Sequence, residues 1–306
     1  MTEDIASSPA TSRTRAVAWI VTAYVVALVV AAASLPFAPD PGLIPRTLWA
    51  DVFATIAIFA FSFAFGNTSF YDAYWSVAPP ILVGYWWLHP QLGADPNTVR
   101  VVLALGLMTV WAVRLTYNWN RGWTGLDHQD WRYSDFQQKY PPSLYWPLSF
   151  FGLHMLPTLQ VFLGCIPLYY AVAASSRPLG WIDGLAVAVT CMGIYFETVA
   201  DKQLHDFVNG PKKPGETLRT GLWRYSRHPN YFGEISFWWG MALFGFAAAP
   251  DAWIWCFAGA VAMTGLFAFA SLPLMEKRSL ERRPGYADVV ATTSILIPMP
   301  PKKPKA

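Results

Sequence analysis

Long apolar runs, each close to the length that crosses a bilayer, follow one another along most of this chain. A membrane-spanning helix needs about 20 mostly apolar residues. Eight segments meet this need, at 16–35, 47–66, 73–90, 99–118, 146–174, 179–200, 230–249 and 251–273. The third contains Pro79-Pro80, and the fifth contains Pro157 and Pro167, so we expect irregular helices there. The pattern predicts an all-α, polytopic integral membrane bundle of about eight transmembrane helices.

The ends of the chain are polar. We therefore predict a cytoplasmic N-terminal tail over 1–15, a membrane domain over 16–300 and a basic C-terminal tail over 301–306. The first apolar run is too deep and too long for a cleaved signal peptide. The three cysteines lie far apart in apolar stretches and are expected to be buried thiols, so we predict neither disulfides nor a metal site.

The composition supports a membrane protein. Hydrophobic residues make up 54% of the chain, charged residues 13%, and mean hydropathy is +0.30. A soluble domain carries about 25% charged residues. These values exclude a disordered chain and a nucleic-acid-binding module. They predict the lipid bilayer as a partner, and no protein partner is inferred.

The basic residues predict an orientation. If the N-terminus is cytoplasmic and the chain crosses eight times, nineteen of the 22 Lys and Arg residues face the cytoplasm. Only Arg46, Arg100 and Arg177 remain outside. Because cytoplasmic loops are enriched in Lys and Arg, we expect a multi-pass protein with both termini cytoplasmic, most simply in a bacterial inner membrane.

Polar residues gather at four places near the ends of these runs. The first is GNTSFYDAYW, residues 66–75, where Asp72 is the ionisable group. A polar turn in which Ser69 or Asp72 caps the next helix explains it equally well. The second follows the fourth run, where Arg114, Tyr117 and Arg121 lie on one helix face. Snorkelling of the arginines at the membrane interface is the alternative.

The third cluster follows the sixth run, where Glu197, Asp201 and His205 recur at every fourth residue. A carboxylate near membrane depth needs a cation, a donor or a ligand. The stripe either contributes to a ligand site or pairs with Arg114 or Arg121.

The fourth cluster runs from Thr220 to Gly240. A basic loop with Arg224, Arg227 and His228 leads into Pro229, which suits the first position of a helix. The positive end of a helix beside arginines favours phosphate. Asn230, Glu234 and Trp238 then share one face of the helix.

The fourth cluster, TGLWRYSRHPNYFGE, closely resembles the C-terminal signature of the steroid 5α-reductase-like membrane proteins, and in particular their DUF1295 branch. Further matches are NTSFYDAYW, RLTYNWNRGW with DHQDWRY, ETVADKQLHDF and LMEKRSLERRPGYADVVATTSILIPMP. The resemblance covers most of residues 60–300, with the signature region at about 190–298. Sterol C14 reductases and isoprenylcysteine carboxyl methyltransferases carry related RHPxY signatures.

The resemblance implies a membrane reductase that binds NADPH in a cytoplasm-facing cavity. It also implies a small lipophilic substrate as a partner, a lipid- or steroid-like enone in which the enzyme reduces a carbon–carbon double bond. It implies that Asn230, Glu234 and Trp238 line the nicotinamide region, and that Glu197 and Asp201 contact the nucleotide. His228 and Tyr231 match the sterol-reductase form of the signature. The animal steroid reductases use a Gln-Glu pair near span two, for which Asp72 is the nearest counterpart here.

The residues suit this chemistry. Hydride addition to an enone builds negative charge on the carbonyl oxygen, which a positioned donor stabilises. Glu234, Asp72 and Tyr117 are the candidate catalytic residues. The candidate cofactor-binding residues are Arg114, Arg121, Glu197, Asp201, His205, Arg224, Arg227, His228, Asn230, Tyr231, Trp238 and Arg278. Because a 2′-phosphate favours Arg and Lys, we expect NADPH rather than NADH.

Two alternatives remain open from the sequence. The first is an S-adenosylmethionine-dependent methyltransferase of the isoprenylcysteine carboxyl type. Those enzymes use a downstream Glu-Glu, whereas this chain has Glu276-Lys277, and a cofactor without phosphates does not need so many cations. The second is a non-enzymatic lipid- or sterol-binding protein, which would leave the RHPNYFGE cluster unexplained.

Overall fold

The computed structural model describes residues 12–211 and 215–302. Within them every named element is helical, which confirms the all-α prediction. The helices are α1 (Arg13–Ser34), α2 (Leu43–Ala64), α3 (Tyr74–Leu88), α4 (Thr98–Gly122), α5 (Trp131–Lys139), α6 (Pro142–Leu148), α7 (Leu156–Tyr169), α8 (Trp181–Asn209), α9 (Pro229–Ala248), α10 (Trp253–Leu266), α11 (Leu272–Arg282) and α12 (Tyr286–Thr292). Parts of both predicted tails, and the basic residues Lys212, Lys213, Lys303 and Lys305, lie outside the described residues.

Six helical stretches in the described chain are long and apolar enough to cross a membrane: Arg13–Phe37, Leu43–Ala64, Thr98–Gly122, Pro142–Ala174, Trp181–Asn209 and Pro250–Arg282. The protein is therefore a multi-pass membrane protein. The other two predicted spans are helices as well, but α3 has only 15 residues. Helix α9 has 20 residues, and most of them are buried inside the protein, Glu234 among them, whereas Asn230 is half-buried.

The long segment Pro142–Ala174 is interrupted as its prolines predict. A π-helical stretch, Ser149–Met155, separates α6 from α7, and Pro167 lies inside α7. Two further π-helical stretches are Tyr170–Ala174, at the end of this segment, and Phe267–Ser271, which joins α10 to α11. Such insertions are rare and often occur at functional sites.

The chain forms two compact units, which we describe separately. The first contains residues 1–82 and 115–162, and the second contains 83–114 and 163–306. In the first unit, α1 packs against α2 through small residues: Ala16, Ala23 and Ala27 alternate with Ile20 at three- and four-residue spacing and lie in the same core as Ile58. Small side chains on one face let two helix backbones approach closely.

In the second unit, α8 and α9 approach at glycines. A Cβ atom added at Gly193 would lie 2.7 Å from the carbonyl oxygen of Gly233, and one added at Gly240 would lie 2.8 Å from the backbone nitrogen of Thr190. Gly180 and Gly184 have GxxxG spacing, but an added Cβ at either would meet open space. GxxxG spacing marks a small-residue face without showing that another helix covers it.

A buried ion pair joins the beginnings of α4 and α8. Arg100 is fully buried and donates to both oxygens of Asp183, at 2.7 and 2.9 Å. It also donates to the carbonyl oxygens of Arg177 and Pro178, so its guanidinium is well satisfied. Cysteines 165 and 256 are buried as predicted, but Cys191 is exposed, because it lies on an outward face of α8.

Candidate functional site

Helix α9 begins at Pro229, with His228 as its N-cap residue, which confirms the predicted helix start. The preceding residues are held by the C-terminal segment. The backbone nitrogen of Arg227 donates to the Ser294 carbonyl oxygen at 2.8 Å, and the Ser226 hydroxyl donates to the Leu296 carbonyl oxygen at 2.7 Å. The same hydroxyl accepts from the His228 backbone nitrogen at 3.1 Å. Arg227 and His228 therefore lie on a fixed backbone.

Glu276 of α11 collects three donors from this region. Its oxygens contact His228 Nε2 at 2.7 Å, Tyr286 Oη at 2.7 Å and Arg227 Nη2 at 3.1 Å. Burial, together with the hydrogen bond to Glu276, raises the pKa of the Tyr286 phenol, so this group remains a donor. Glu276 is thus a carboxylate that positions Arg227 and His228.

Arg227 has more donors than partners. Its side chain is only 8% exposed. Among the described residues its Nε and Nη1 atoms are buried and have no hydrogen-bond partner. Buried polar groups are almost always hydrogen-bonded in native proteins. A cationic group that directs unpaired N–H donors beside a helix N-terminus is suited to an anion.

The acidic stripe of α8 pairs with Arg114, which confirms one of the two predicted alternatives. The guanidinium of Arg114 donates to Asp201 Oδ2 at 2.9 Å and also binds the carboxylate of Glu197. Asn230 of α9 donates to the other Asp201 oxygen at 3.2 Å. Glu197 is almost fully buried, and its Oε1 atom has no partner among the described residues.

Glu234 is buried one turn further along α9. Its Oε1 accepts a hydrogen bond from Trp238 Nε1 at 2.9 Å, and its Oε2 accepts one from Trp111 Nε1 at 3.1 Å. Both oxygens act as acceptors, so the two indole N–H groups stabilise the carboxylate against burial, which favours the protonated acid. The Trp111 ring also stacks on Phe237, with centroids 4.7 Å apart. The second unit thus contains two sets of contacts, one that joins Arg114 to Glu197, Asp201 and, through Asp201, Asn230, and one that joins Glu234 to Trp111 and Trp238.

Sequence reasoning missed Trp111 as a partner of Glu234, and it missed Glu276 and Tyr286 beside Arg227 and His228. Trp111 lies three residues before Arg114 and therefore on the same face of α4, so its spacing from Arg114 could have identified it as a candidate. Glu276 is an isolated acid in a basic stretch. Nothing in its spacing indicates that Arg227 and His228, about fifty residues away, are its partners.

The remaining candidates have simpler surroundings. Tyr117 is 63% exposed, and the guanidinium of Arg121 lies over its ring. Arg121 itself donates to Asn118 at 2.8 Å rather than to the acidic stripe of α8. His205 lies 3.5 Å from Asp206, and Arg224 is exposed over the ring of Tyr225. Tyr231 stacks on His228, and Arg278 is half-buried.

Asp72 lies in the first unit, in the turn between α2 and α3. The Tyr133 hydroxyl of α5 donates to its Oδ1 atom at 2.8 Å. The side chain of Asn67 caps the short turn Thr68–Phe70 by accepting a hydrogen bond from the Ser69 nitrogen. The sequence had instead predicted that Ser69 or Asp72 caps the next helix. Burial raises the pKa of Asp72 to about 6, although hydrogen bonds from Ser69 and Tyr133 oppose the shift.

This raised pKa predicts an unusual pH dependence. Because the folded state holds the proton more tightly than the unfolded chain, the contribution of Asp72 to stability is complete below about pH 4 and is lost as the pH rises through about 6. The loss amounts to roughly 3 kcal/mol. Asp72→Asn should therefore flatten the decline in melting temperature between pH 5 and pH 8. The exposed neighbour Asp127→Asn is the control, and an equal decline in both variants would contradict the assignment.

Sequence reasoning also missed an acidic residue that lies inside an apolar span of the first unit. Asp51 of α2 accepts a hydrogen bond from the Tyr74 hydroxyl at 3.0 Å. Close by in the sequence, Thr55 shares a hydrogen bond with Thr158, which also contacts the hydroxyl of Tyr71. Asp51 could have been identified from the sequence, because it is an ionisable residue within the apolar run 47–66 and such residues are usually functional. The first unit therefore holds two acid–phenol pairs, Asp51–Tyr74 and Asp72–Tyr133.

No group of three or more His, Cys, Asp and Glu side chains in the described ranges has an arrangement that would hold a metal ion.

Comparison with known proteins assigns a family. The family model for DUF1295, described as a protein of unknown function, matches residues 58–293. The chain belongs to the DUF1295 family. An uncharacterized protein of Schizosaccharomyces pombe is 29% identical over 240 residues, which cover 72% of this chain and 69% of the yeast protein. No solved structure matches the chain. The DUF1295 match spans both the Asp72 turn and the cluster at the start of α9.

Proposed function

We propose that this DUF1295 protein is a membrane-embedded, NADPH-dependent reductase of a carbon–carbon double bond in a lipid- or steroid-like enone. The observation that carries the proposal is Arg227, a nearly buried cation with two unpaired nitrogens beside the N-terminus of α9. A phosphate-bearing cofactor supplies the anion that such a group requires.

The polar groups of the second unit fit the parts of NADPH. Arg227, with Arg224 and Arg278, would hold phosphate oxygens. The unpaired oxygen of Glu197 and the carboxylate of Asp201 suit hydroxyl groups of a ribose, as acidic residues do in other nucleotide sites. NADPH supplies the hydride when bound.

The chain's own residues would bind the cofactor, orient it and polarise the substrate. Glu234, held as a carboxylate by two indole N–H groups, provides a fixed negative charge and an acceptor. It is therefore better suited to orient a ring or stabilise a cation than to donate a proton. Within the first unit, the candidate proton donor is Asp72, whose pKa of about 6 lies near neutral pH, and the Asp51–Tyr74 pair is the alternative.

We expect Arg227→Ala to weaken NADPH binding by about 1–3 kcal/mol, because a charge-assisted contact is lost. Quenching of tryptophan fluorescence measures the affinity. Tyr286→Phe removes a different partner of Glu276, and Lys277→Ala removes an exposed cation next to Glu276. Both controls should bind NADPH nearly as well as the parent protein. Equal losses of NADPH affinity in Arg227→Ala and Tyr286→Phe would show that the affinity depends on the structure around Glu276 and not on a contact between Arg227 and the cofactor.

The nucleotide retained during purification separates the proposal from its alternatives. NADP(H) in the detergent-extracted protein supports the reductase. S-adenosylmethionine would support the methyltransferase, and failure of both ligands to bind on addition would support a lipid-binding protein.

We further propose that both termini face the cytoplasm of a bacterial inner membrane, on the basis of the basic residues. Reporter fusions at Asp40, Asp95 and Arg177 should then all report the outer side. A cytoplasmic signal at any one of these positions would overturn this orientation.

A further inference from the structure

The segment after α12 forms a bent strap across the residues that precede α9. We define the strap as residues 294–299. Its backbone is tied to residues 225–227 by hydrogen bonds from Arg227 N to Ser294 O at 2.8 Å and from Met299 N to Tyr225 O at 2.9 Å. The Ser226 hydroxyl adds a bond to Leu296 O. The strap is therefore a fixed part of the second unit.

The strap has an apolar edge, which we define as the side chains of Ile295, Ile297 and Met299. They are 41%, 55% and 51% exposed, whereas Ser294, Leu296 and Pro298 are partly buried. Three large, exposed apolar side chains on one short segment with a fixed backbone form a surface suited to an apolar partner.

This edge lies at an end of the helices of the second unit. Helix α10 follows α9 after a three-residue turn, Pro250–Ala252, and packs against it, so the two helices are antiparallel. The run through α11 therefore returns to the side where α9 begins, as the contact between Glu276 and His228 shows. Because Pro250–Arg282 has 33 residues and a span needs about 20, its charged end in α11 extends beyond the apolar core on the side where α9 begins.

The charges around the strap are complementary to anionic headgroups. Arg224, Arg282 and Lys302 are exposed, and Arg283 is half-buried. Basic residues beside apolar side chains are typical of segments that lie in the membrane interface. Pro298, Pro300 and Pro301 also lack backbone N–H groups, which lowers the cost of placing this backbone near hydrocarbon.

We propose that the strap is an interfacial anchor, whose Ile295, Ile297 and Met299 insert among anionic phospholipids at the membrane face where α9 begins. The flanking cations bind the headgroups. Since the strap also holds Ser226 and Arg227, the bilayer itself helps to fix the start of α9. This inference concerns a lipid contact and does not require the proposed reductase activity.

The first test measures depth. In full-length protein carrying Cys191→Ala, a bimane label is placed at Ile297→Cys or, as a matched exposed control on α11, at Glu281→Cys, in lipid nanodiscs. Doxyl-labelled lipid should quench the Ile297 label at least about twofold more than the Glu281 label, and aqueous iodide should show the reverse order. Equal access of iodide to both labels would overturn the anchor and would indicate that the edge faces water or another protein.

The second test addresses the headgroup. Adding phosphatidylglycerol to phosphatidylcholine nanodiscs should increase doxyl quenching at Ile297. The increase should disappear when Arg282, Arg283 and Lys302 are all replaced by Gln. An equal response with and without these cations would overturn the preference for anionic lipid. Neither measurement uses NADPH, so a failure here is separate from a failure of the proposed function.

Discussion

Asp183→Asn is expected to lower the free energy of unfolding by about 3–5 kcal/mol, because it leaves a buried arginine without its counter-charge. Arg100 is fully buried, and both of its bonds to Asp183 are shorter than 3 Å. Asp183 also accepts a hydrogen bond from the Gly180 nitrogen at the start of α8. Its loss therefore affects both the link between α4 and α8 and the first turn of α8.

Denaturation in mild detergent, monitored by tryptophan fluorescence, measures this effect. Asp95→Asn removes an exposed carboxylate before α4 and should change stability by less than about 0.5 kcal/mol. Replacing both partners, as Arg100→Met with Asp183→Leu, should recover much of the loss, because the cost comes from an unpaired buried charge. If Asp183→Asn matched Asp95→Asn in stability, the ion pair would not be stabilising the second unit.

The sequence predicted those features that depend on local pattern. The apolar runs located the helices, because each run must satisfy its backbone internally in a membrane. Pro229 marked the start of α9 because proline tolerates the first helical position. The spacing of Glu197 and Asp201 placed both on one face of α8 and named Arg114 as a possible partner. Each of these inferences depends on residues within two helical turns of one another. The pairing of the α8 acids with Arg114 is the exception, because Arg114 lies on another helix.

The features that the sequence did not predict depend on which surfaces meet. Gly180 and Gly184 have the spacing of a packing motif, but Gly193 and Gly233 are the residues at which α8 and α9 touch. Which glycines make contact depends on where the two helices cross, and the residue pattern of one helix does not specify that point. Glu276 likewise gains its partners only when α11 returns to the start of α9. The acid–phenol pair Asp51–Tyr74 forms between two different helices for the same reason.

The structure also changes what is expected of Glu234→Gln. From sequence alone, this substitution should leave the melting temperature nearly unchanged, because glutamine keeps the size and hydrogen-bonding ability of glutamate. In the structure both carboxylate oxygens accept indole N–H groups, one from Trp111 and one from Trp238. A glutamine has a single acceptor oxygen, so its NH₂ group would face an indole N–H. We therefore expect a loss of about 1–3 kcal/mol in stability.

The larger effect of Glu234→Gln is expected on turnover. If the fixed charge of Glu234 orients or stabilises the reacting groups, NADPH-dependent reduction of an accepted enone should fall at least about tenfold, equivalent to 1.4 kcal/mol in the barrier. Trp111→Phe is the matched control, since it breaks one of the same hydrogen bonds, lowers stability and keeps the charge. It should retain most of the turnover, measured well below the melting temperature of both variants. Full activity in Glu234→Gln would move the catalytic assignment to Asp72 or Tyr117. An equal fall in both variants would make Glu234 a buried structural partner of the two tryptophans.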